Sequence, residues 1–579
     1  MFEKLRKKAN KVKLGSALIV ALILPLGLTS CGESKSADTK LDSKQELNLI
    51  TTKLSTIDAD DLRNTNESDI VSQLQESLYR VFAKDGKDSF EYAGATSHDI
   101  DSTGTIHTFK IRDNFNWSDG QPVKAKDYAD SVKRTLDPEQ AFATADSLLW
   151  IKGAHEYYEE KSGNPDDVKI KALDDKTLQI ETVRPVKDSV DLFAAIYPVR
   201  VDLADKYKSG AGSKEDKGWA LNPERHVYSG PFKVSSDFQK DGQGITLVKN
   251  DKYWDSNNVH ITKVNYQYIQ NTSSTAETLF KSHQIDAIKS NGAKVDVFKP
   301  LVGDQVEQRQ LKPPVVDYII LNSASKFGLT SNSKIREALS FSLNKSEYNK
   351  ILNNGYSTVA NEIVTETQQL GDKNYRKFAG DITKELREKY ENNPDELKKL
   401  FKEGLKELGK DEDLDKVHIV YLTVSPEPNE QAGYEYIKQR FEKELGIHLD
   451  VNIAPDTASF KAIRNAKEWD ISDQAWNSGI DPDSALQLWT STYGYSQFFG
   501  NYKSEEYDEI YAKLKVEGDI DKRYELYKQL EEQILTKDFG TIPVAFRNPY
   551  IFVNTAWKGL DTTIYGATFE YSRAYKVSE

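Results

Sequence analysis

The 579-residue chain contains one cysteine, Cys31, and this single thiol limits how the chain can be held together. No disulfide can form within it, and no cluster of thiolates can bind a metal ion. A body of this length must therefore fold around apolar cores, for which 38% hydrophobic residues are sufficient. Single cores stop growing at roughly 250–300 residues, so we expect at least two lobes.

The cysteine directly follows a segment that is typical of a secretory signal. Six basic residues between Lys4 and Lys13 precede an apolar run over 14–28. That run is shorter than the roughly 20 residues of a membrane span. The sequence LTSCG that ends it resembles a bacterial lipobox, in which the thiol is lipidated before cleavage. We therefore predict a signal peptide over 1–30, and a lipidated Cys31 that begins a polar tether over 31–46. The alternative is a plain N-terminal membrane anchor with an unrelated cysteine.

The charge of the chain argues against a nucleic-acid partner. The formal net charge is -13 although the first 30 residues are basic, so the part after the signal is more acidic than the whole. Such a chain repels phosphate backbones, and no basic stripe opposes this locally. We predict a soluble, well-hydrated surface and no binding to nucleic acid.

The body of the chain alternates between strand and helix patterns. Alternating apolar residues predict strands, and apolar residues three and four apart predict helices. The predicted strands are 47–51, 105–112, 176–183, 245–248, 417–422, 447–453 and 541–546, and the predicted helices are 68–79, 334–352, 393–409, 434–445, 505–515 and 521–536. The strand–helix–strand order over 417–453 predicts a parallel element. The sequence therefore predicts an α/β fold.

No motif for catalysis or metal binding stands out. The eight histidines are scattered without a pair at ligand spacing, and there is no zinc-protease, Walker, dinucleotide or nucleophile-elbow motif. We predict no metal, no cofactor and no enzymatic activity. A catalytic site assembled from distant residues is not excluded by sequence alone.

Five segments in order resemble one family. FKIRDNFNWSDGQPVKAKD over 109–127 resembles the signature of the family 5 solute-binding proteins, the peptide- and nickel-binding receptors of ABC importers. Its Trp117 and Gly120 are expected to be scaffold residues. The further segments, in the same order as in the family, are YSGPF over 228–232, KNDKYW over 249–254, IREALSFSLN over 335–344, and the stretch 469–482.

The resemblance implies a fold and a division into domains. The expected fold is a two-lobed, periplasmic-binding-protein-like clamp of type II with an additional accessory α+β domain. Lobe I is predicted to combine 47–75, 180–320 and 540–579, the accessory domain to span 76–179, and lobe II to span 321–539. The chain would then cross between the lobes near 320 and 540, and closure there would bury the ligand.

The resemblance also implies a function. We expect an extracytoplasmic, lipid-anchored, monomeric receptor that binds extended oligopeptides and delivers them to the permease subunits of an ABC importer. Alternative hypotheses are the same family with another ligand (a nickel chelate, haem or an oligosaccharide), or a surface lipoprotein that is a hydrolase or an adhesin.

Four residues are candidates for ligand binding. Trp476 matches the cleft tryptophan of the family, and Arg464 falls where some peptide receptors bind the peptide carboxylate; each can also be a core or surface residue. The family's W-x-x-D-Y-x-D-P run normally supplies an aspartate for the peptide ammonium, but Gly479 stands three residues after Trp476. Asp473 or Asp481 is expected to substitute, or the receptor holds peptides by their middles.

Overall fold

The computed structural model covers the chain, and its description begins after the predicted signal. The predicted signal peptide, the lipidation site Cys31 and most of the tether lie outside the described residues. Within the described part, no helix is both long and apolar enough to cross a membrane. The residues described are 40–84, 87–186, 189–207, 219, 221–235, 242–269, 272–371, 373–424, 426, 428–493 and 496–578.

A four-stranded sheet, which we call the first-lobe sheet, pairs strands that are more than 200 residues apart in the sequence. Alternating Leu47 and Leu49 bury one face of its first strand, as the sequence predicts. That strand pairs in parallel with a strand that the chain reaches only at residue 263. The strands, in spatial order, are Glu46–Thr51, Lys263–Tyr268, Gly244–Lys249 and Phe232–Val234. A small sheet of Ala287–Ser290, Tyr550–Asn554 and Val306–Gln310 shares its apolar core.

The predicted accessory domain contains a second, wholly antiparallel sheet. Its helix Ala125–Thr135 packs on it through Tyr128 and Val132, which lie on one face. Trp117 is buried beneath the turn of the signature and donates its indole N–H to Asp127, 3.2 Å away, while Gly120 has φ +87°. The scaffold roles predicted for both residues are confirmed. The strands, in spatial order, are Ala95–Ile100, Ile106–Ile111, Thr177–Glu181 and Ile170–Asp174.

A six-stranded sheet, which we call the distal sheet, forms the core of the second lobe. The predicted parallel unit is confirmed. The strands His418–Val424 and His448–Ala454 pair in parallel, and helix Pro428–Arg440 connects them in the sequence. The order of the strands is Thr358–Val359, Thr541–Phe546, Val315–Leu321, Ile471–Asn477, His418–Val424 and His448–Ala454. The fold is thus a mixed α/β clamp of two lobes with an accessory α+β domain.

Two short connections join the small sheet to the distal sheet. They are residues 311–314 and 547–549, whereas the sequence predicted the crossings near 320 and 540. The connections lie side by side, because Leu311 N–H donates to Pro549 O and Arg547 N–H donates to Val315 O, both at 2.9 Å. Two adjacent, short connections are the arrangement that a hinge needs.

The predicted helix 334–352 is in fact two helices, Ser333–Ser342 and Lys345–Asn353. Leu343 is extended between them, and the Asn344 side chain accepts a hydrogen bond from Glu347 N–H at 3.1 Å. An asparagine followed three residues later by glutamate is an N-cap pattern, so the break had a sequence signal. The predicted helix 393–409 spans Pro394–Glu407, and the Asn393 side chain makes no capping bond to it.

The remaining elements connect and cover these sheets. The other strands are Tyr79–Lys84, Lys87–Tyr92, Gln369–Leu370, Lys373–Asn374, Trp557–Lys558 and Tyr575–Lys576. The other α-helices are Thr65–Leu74, Ala154–Tyr158, Val190–Ala194, Val201–Lys206, Thr272–Lys281, Val295–Phe298, Tyr375–Ala379, Lys384–Tyr390, Thr457–Asn465, Asp483–Leu486, Glu505–Val516 and Ile520–Glu532.

The two ends of the described chain meet on the first lobe. Leu41 forms an antiparallel bridge with Val577, and Asp42 N–H donates to Lys576 O at 2.9 Å. The Gln45 side chain also donates to Lys576 O at 2.9 Å. The residue where the predicted tether ends therefore lies beside the last described strand.

Candidate ligand-binding cleft

A cavity of about 310 Å³ lies between the first lobe and the accessory domain. This volume is at the lower end of the roughly 300–1,000 Å³ that small-molecule sites occupy. Its charged lining consists of four carboxylates and one guanidinium, so its surface favours a cationic group. These residues are Asp60, Glu76, Asp191, Glu570 and Arg80.

The guanidinium of Arg80 makes its ion pairs and hydrogen bonds within the protein. It lies 2.7 Å from a Glu570 oxygen and 3.1 Å from a Glu76 oxygen, and it donates to Ser72 O at 3.0 Å. Burial raises the pKa of the Glu76 carboxyl, and Arg80 opposes that effect. This buried, hydrogen-bonded cluster ties helix Thr65–Leu74 to the C-terminal segment, and we interpret it as a rigid wall of the cavity.

A second buried cluster forms another wall. Arg134 donates to Asp58 at 2.7 Å and to Asp60 at 2.5 Å, and the Ser131 hydroxyl also donates to Asp60 at 2.6 Å. Burial raises the pKa of Asp60 to about 6, an effect that Arg134 opposes. Because each oxygen of Asp60 already accepts a hydrogen bond, this carboxylate is committed to the scaffold.

The lobes are in contact at a buried ion cluster beside the cavity. Arg184, just after the accessory sheet, lies 2.7 Å from an Asp483 oxygen and 3.2 Å from an Asp481 oxygen of the second lobe. Arg523 reaches the same two carboxylates at 2.7 and 3.7 Å, and Tyr527 donates to Asp481 at 2.7 Å. Although burial raises the pKa of Asp483, Arg523 and Arg184 hold it below its usual value.

Further contacts show that the clamp is closed. The Tyr565 hydroxyl of the first lobe donates to Thr367 O of the second lobe at 2.9 Å. Gly518 of the second lobe packs on Pro185, where a Cβ on Gly518 would lie 2.7 Å from the proline Cγ. Asp296 accepts hydrogen bonds from Asn354 and Tyr356 across the same division.

Trp476 is half-buried on the distal sheet next to the hinge. It lies opposite Val316 in the antiparallel ladder and packs edge-to-face against Phe499, with ring centroids 5.4 Å apart. The neighbouring core of the second lobe therefore holds one part of its ring, while another part stays accessible. This placement is compatible with the predicted ligand contact, which stays a prediction.

Arg464 is a buried guanidinium without a carboxylate partner in the described part of the chain. It lies in the last turn of helix Thr457–Asn465, and its guanidinium carbon is 3.7 Å from the centre of the Phe498 ring. Its Nε has no hydrogen-bond partner among the described residues, and burial lowers its pKa. A buried guanidinium that lacks a carboxylate partner would be stabilised by the carboxylate of a bound ligand. The predicted contact with the peptide carboxylate therefore has a chemical basis and stays a prediction.

The two proposed substitutes for the missing aspartate differ in their surroundings. Asp473 is exposed and accepts a hydrogen bond from Tyr421 at 2.8 Å. Asp481 is buried in the ion cluster with Arg184 and Arg523, so its charge is already balanced by the protein. A ligand ammonium at Asp481 would have to displace those contacts.

Two residues that the structure brings to this site have no distinguishing signal in the sequence. Arg184 lies in the connection after the accessory sheet and Asp191 in the short helix Val190–Ala194, where no periodic pattern or motif distinguishes either residue from a solvated charge. Only their approach to the loop that contains Gly479 and Asp481 reveals them. Among the described residues, no group of three or more histidine or acidic side chains could hold a metal ion.

A clamp whose two lobes are in contact and are joined by two adjacent short connections has the architecture of a solute-binding protein. The chain belongs to the bacterial extracellular solute-binding proteins of family 5, whose middle region matches residues 89–497. The recognition made from five short segments is therefore confirmed.

Similar proteins cover nearly the whole chain. The dipeptide-binding protein DppE of Bacillus subtilis is 27% identical over 85% of this chain and 84% of its own length. The substrate-binding domain of an oligopeptide ABC transporter from Bacillus anthracis has a TM-score of 0.75 at 27% identity, covering 93% of this chain and 100% of that one. Listeria monocytogenes OppA bound to peptide has a TM-score of 0.75 at 25% identity over the same shares.

Proposed function

We propose that this protein is an oligopeptide receptor that closes around an extended peptide and hands it to an ABC importer. The observation that carries the proposal is the closed contact between the two lobes, beside a cavity of about 310 Å³ lined by apolar and charged side chains, in a member of a solute-binding family. The similar proteins are described as dipeptide- or oligopeptide-binding, and one of them as bound to peptide. A peptide satisfies its backbone groups by strand-like pairing, and its termini need charge partners.

The two ends of the peptide meet different chemistry in this proposal. The carboxylates around the cavity suit an ammonium group, and Arg464 on the second lobe suits a carboxylate. Trp476 supplies an apolar surface for a side chain between them. Binding residues on both lobes make closure depend on the ligand, which is how a receptor signals that it is loaded.

We extend the proposal to the position of the protein in the cell. The family is extracellular by description, which agrees with the signal-like segment before Cys31. We propose that Cys31 is lipidated and that the tether over 31–46 holds a monomeric receptor at the outer face of the membrane, next to the permease subunits. Solute-binding proteins bind without chemical conversion, and we propose that this chain likewise has no enzymatic activity.

The domain bounds belong to the proposal as well. We extend the accessory domain from 76–179 to 76–181 so that it contains the whole strand Thr177–Glu181, and we move the crossings between lobes to 311–314 and 547–549. The strands Val315–Leu321 and Thr541–Phe546 pair within the distal sheet, which supports this change.

The test is mass spectrometry of a soluble form, residues 32–579, purified without denaturant. The native spectrum reports bound mass, and denaturing the sample releases the ligand for identification. We expect peptides, either a mixture of lengths or one dominant species. Release of a metal chelate, haem or a sugar instead would refute the peptide assignment within the family. An empty protein that shows no thermal shift with a peptide library would refute it as well.

A further inference from the structure

A carboxylate lies close to Gly479, at the position where the family resemblance implies an aspartate for the peptide ammonium. A Cβ built on Gly479 would have Asp191 Oδ2 at 3.9 Å, with Ser484 Oγ closer, at 3.3 Å. A side chain at position 479 would therefore begin in van der Waals contact with the Asp191 carboxylate. The two residues come from different domains, since Asp191 belongs to helix Val190–Ala194 and Gly479 to the second lobe.

The Asp191 carboxylate is incompletely satisfied. Its Oδ1 is buried and has no hydrogen-bond partner among the described residues, while the side chain lines the cavity. The charged and titratable groups that act on it are Asp481, which repels it, Arg184, which attracts it, and the Tyr565 hydroxyl. Burial, and then Asp481, raise the pKa of Asp191 to about 7. A cation delivered to this site would stabilise the charged carboxylate.

The other acidic side chains of the cavity cannot take this role as readily. Asp60 is paired with Arg134 and Ser131, and Glu76 and Glu570 are paired with Arg80. Asp191 alone among the carboxylates that line the described cavity has a buried oxygen without a partner. The geometry and the hydrogen bonding therefore single out the same residue.

We propose that Asp191 binds the N-terminal ammonium of the peptide in place of the aspartate that Gly479 replaces. This inference rests on the proposed peptide-binding function and deepens it. It moves the ammonium anchor from the second lobe to the first lobe, whose residues line the cavity together with the accessory domain. Asp191 then holds the peptide amine before the lobes close. Closure brings the loop that contains Gly479 against Asp191 and the ammonium already bound to it.

The test compares Asp191→Asn with the unchanged protein on two synthetic pools. Both pools contain random tri- to nonapeptides without lysine, and one pool has free amines while the other is N-acetylated. The peptides retained after gel filtration are quantified by mass spectrometry. We expect the substitution to weaken retention of free-amine peptides roughly 10- to 100-fold, as for loss of one hydrogen bond to a charged group. Retention of acetylated peptides should be lower at the outset and change little.

A reciprocal variant separates a direct contact from a structural effect. Asp191→Ala combined with Gly479→Asp returns the carboxylate to the second lobe, and it should restore the preference for free amines. Thermal unfolding of Asp191→Asn without ligand should be unchanged or shifted upward, because the carboxylate has an unpaired buried oxygen. Equal losses on both pools, or no preference for free amines in the unchanged protein, would overturn the inference and leave the peptide function standing. Retention of neither pool by the unchanged protein would refute both.

Discussion

Replacing Arg184 by glutamine should weaken ligand binding without unfolding the protein. Arg184 reaches across the division between lobes to Asp483 and Asp481, so its ion pairs exist only in the closed state. Removing one partner of a buried, hydrogen-bonded charge pair costs about 2–5 kcal/mol. Arg523 continues to neutralise both carboxylates, so we take the lower part of this range, about 2–3 kcal/mol. This corresponds to a roughly 30- to 150-fold loss of affinity.

The assay is calorimetric titration with a synthesised copy of a peptide released from the native protein. Small-angle X-ray scattering with and without that peptide then reports whether the lobes still close. Arg376→Gln is the matched control, because Arg376 pairs with the fully buried Glu531 at 3.0 Å inside the second lobe. The control should lower the unfolding temperature and leave affinity nearly unchanged. If Arg184→Gln binds within threefold of the unchanged protein, or behaves like the control, the cluster does not stabilise closure.

Three further predictions concern the same cleft. Gly518→Ala places a Cβ 2.7 Å from Pro185 Cγ, so this substitution should hold the two lobes apart. We expect a larger radius of gyration with ligand and a lower affinity, and an unchanged unfolding temperature without ligand. Arg464→Gln should weaken binding of peptides with a free C-terminal carboxylate roughly tenfold or more, but not of their C-terminal amides, in paired titrations. Affinity for free-amine peptides should fall by up to about tenfold per pH unit below pH 7. The reason is that the pKa of Asp191 is about 7 in the unliganded protein and the bound ammonium lowers that pKa, so protonation of Asp191 competes with binding. An affinity that stays constant from pH 7.5 to 5.5 would contradict the assignment.

Most of the fold followed from periodicity, and the errors have local causes. The strand Thr541–Phe546 has the predicted bounds: Ile542, Val544 and Phe546 alternate with smaller residues in the sequence, although five of its six residues are buried. The helix predicted over 334–352 failed at Leu343, where the apolar spacing continues although Asn344 starts a new helix. We propose crossings at 311–314 and 547–549 instead of near 320 and 540, because the strands next to them pair within the distal sheet and a strand pattern alone does not show which sheet a strand joins.

The candidate site was less accessible to sequence reasoning. Trp476 and Arg464 are candidates through the family resemblance, which also draws attention to Gly479, and their ligand contacts stay predictions. Asp191 has no pattern of its own: its significance depends on approaching Gly479 from a different domain, nearly 290 residues away in the chain. Likewise, Asp481 resembled a ligand contact in sequence, while its three-dimensional neighbours use its charge for closure.

The bridge between Leu41 and Val577 makes the receptor suitable for circular permutation into a sensor. Ends that lie side by side on a folded surface tolerate being joined by a few residues, with new ends opened in an exposed loop. The solvated turn Asp411–Lys416 of the second lobe offers such an opening. A circular permutant of this kind would start and finish on the moving lobe, so a pair of fluorophores, one at the new ends and one near residue 577, would report each closure as a change in energy transfer.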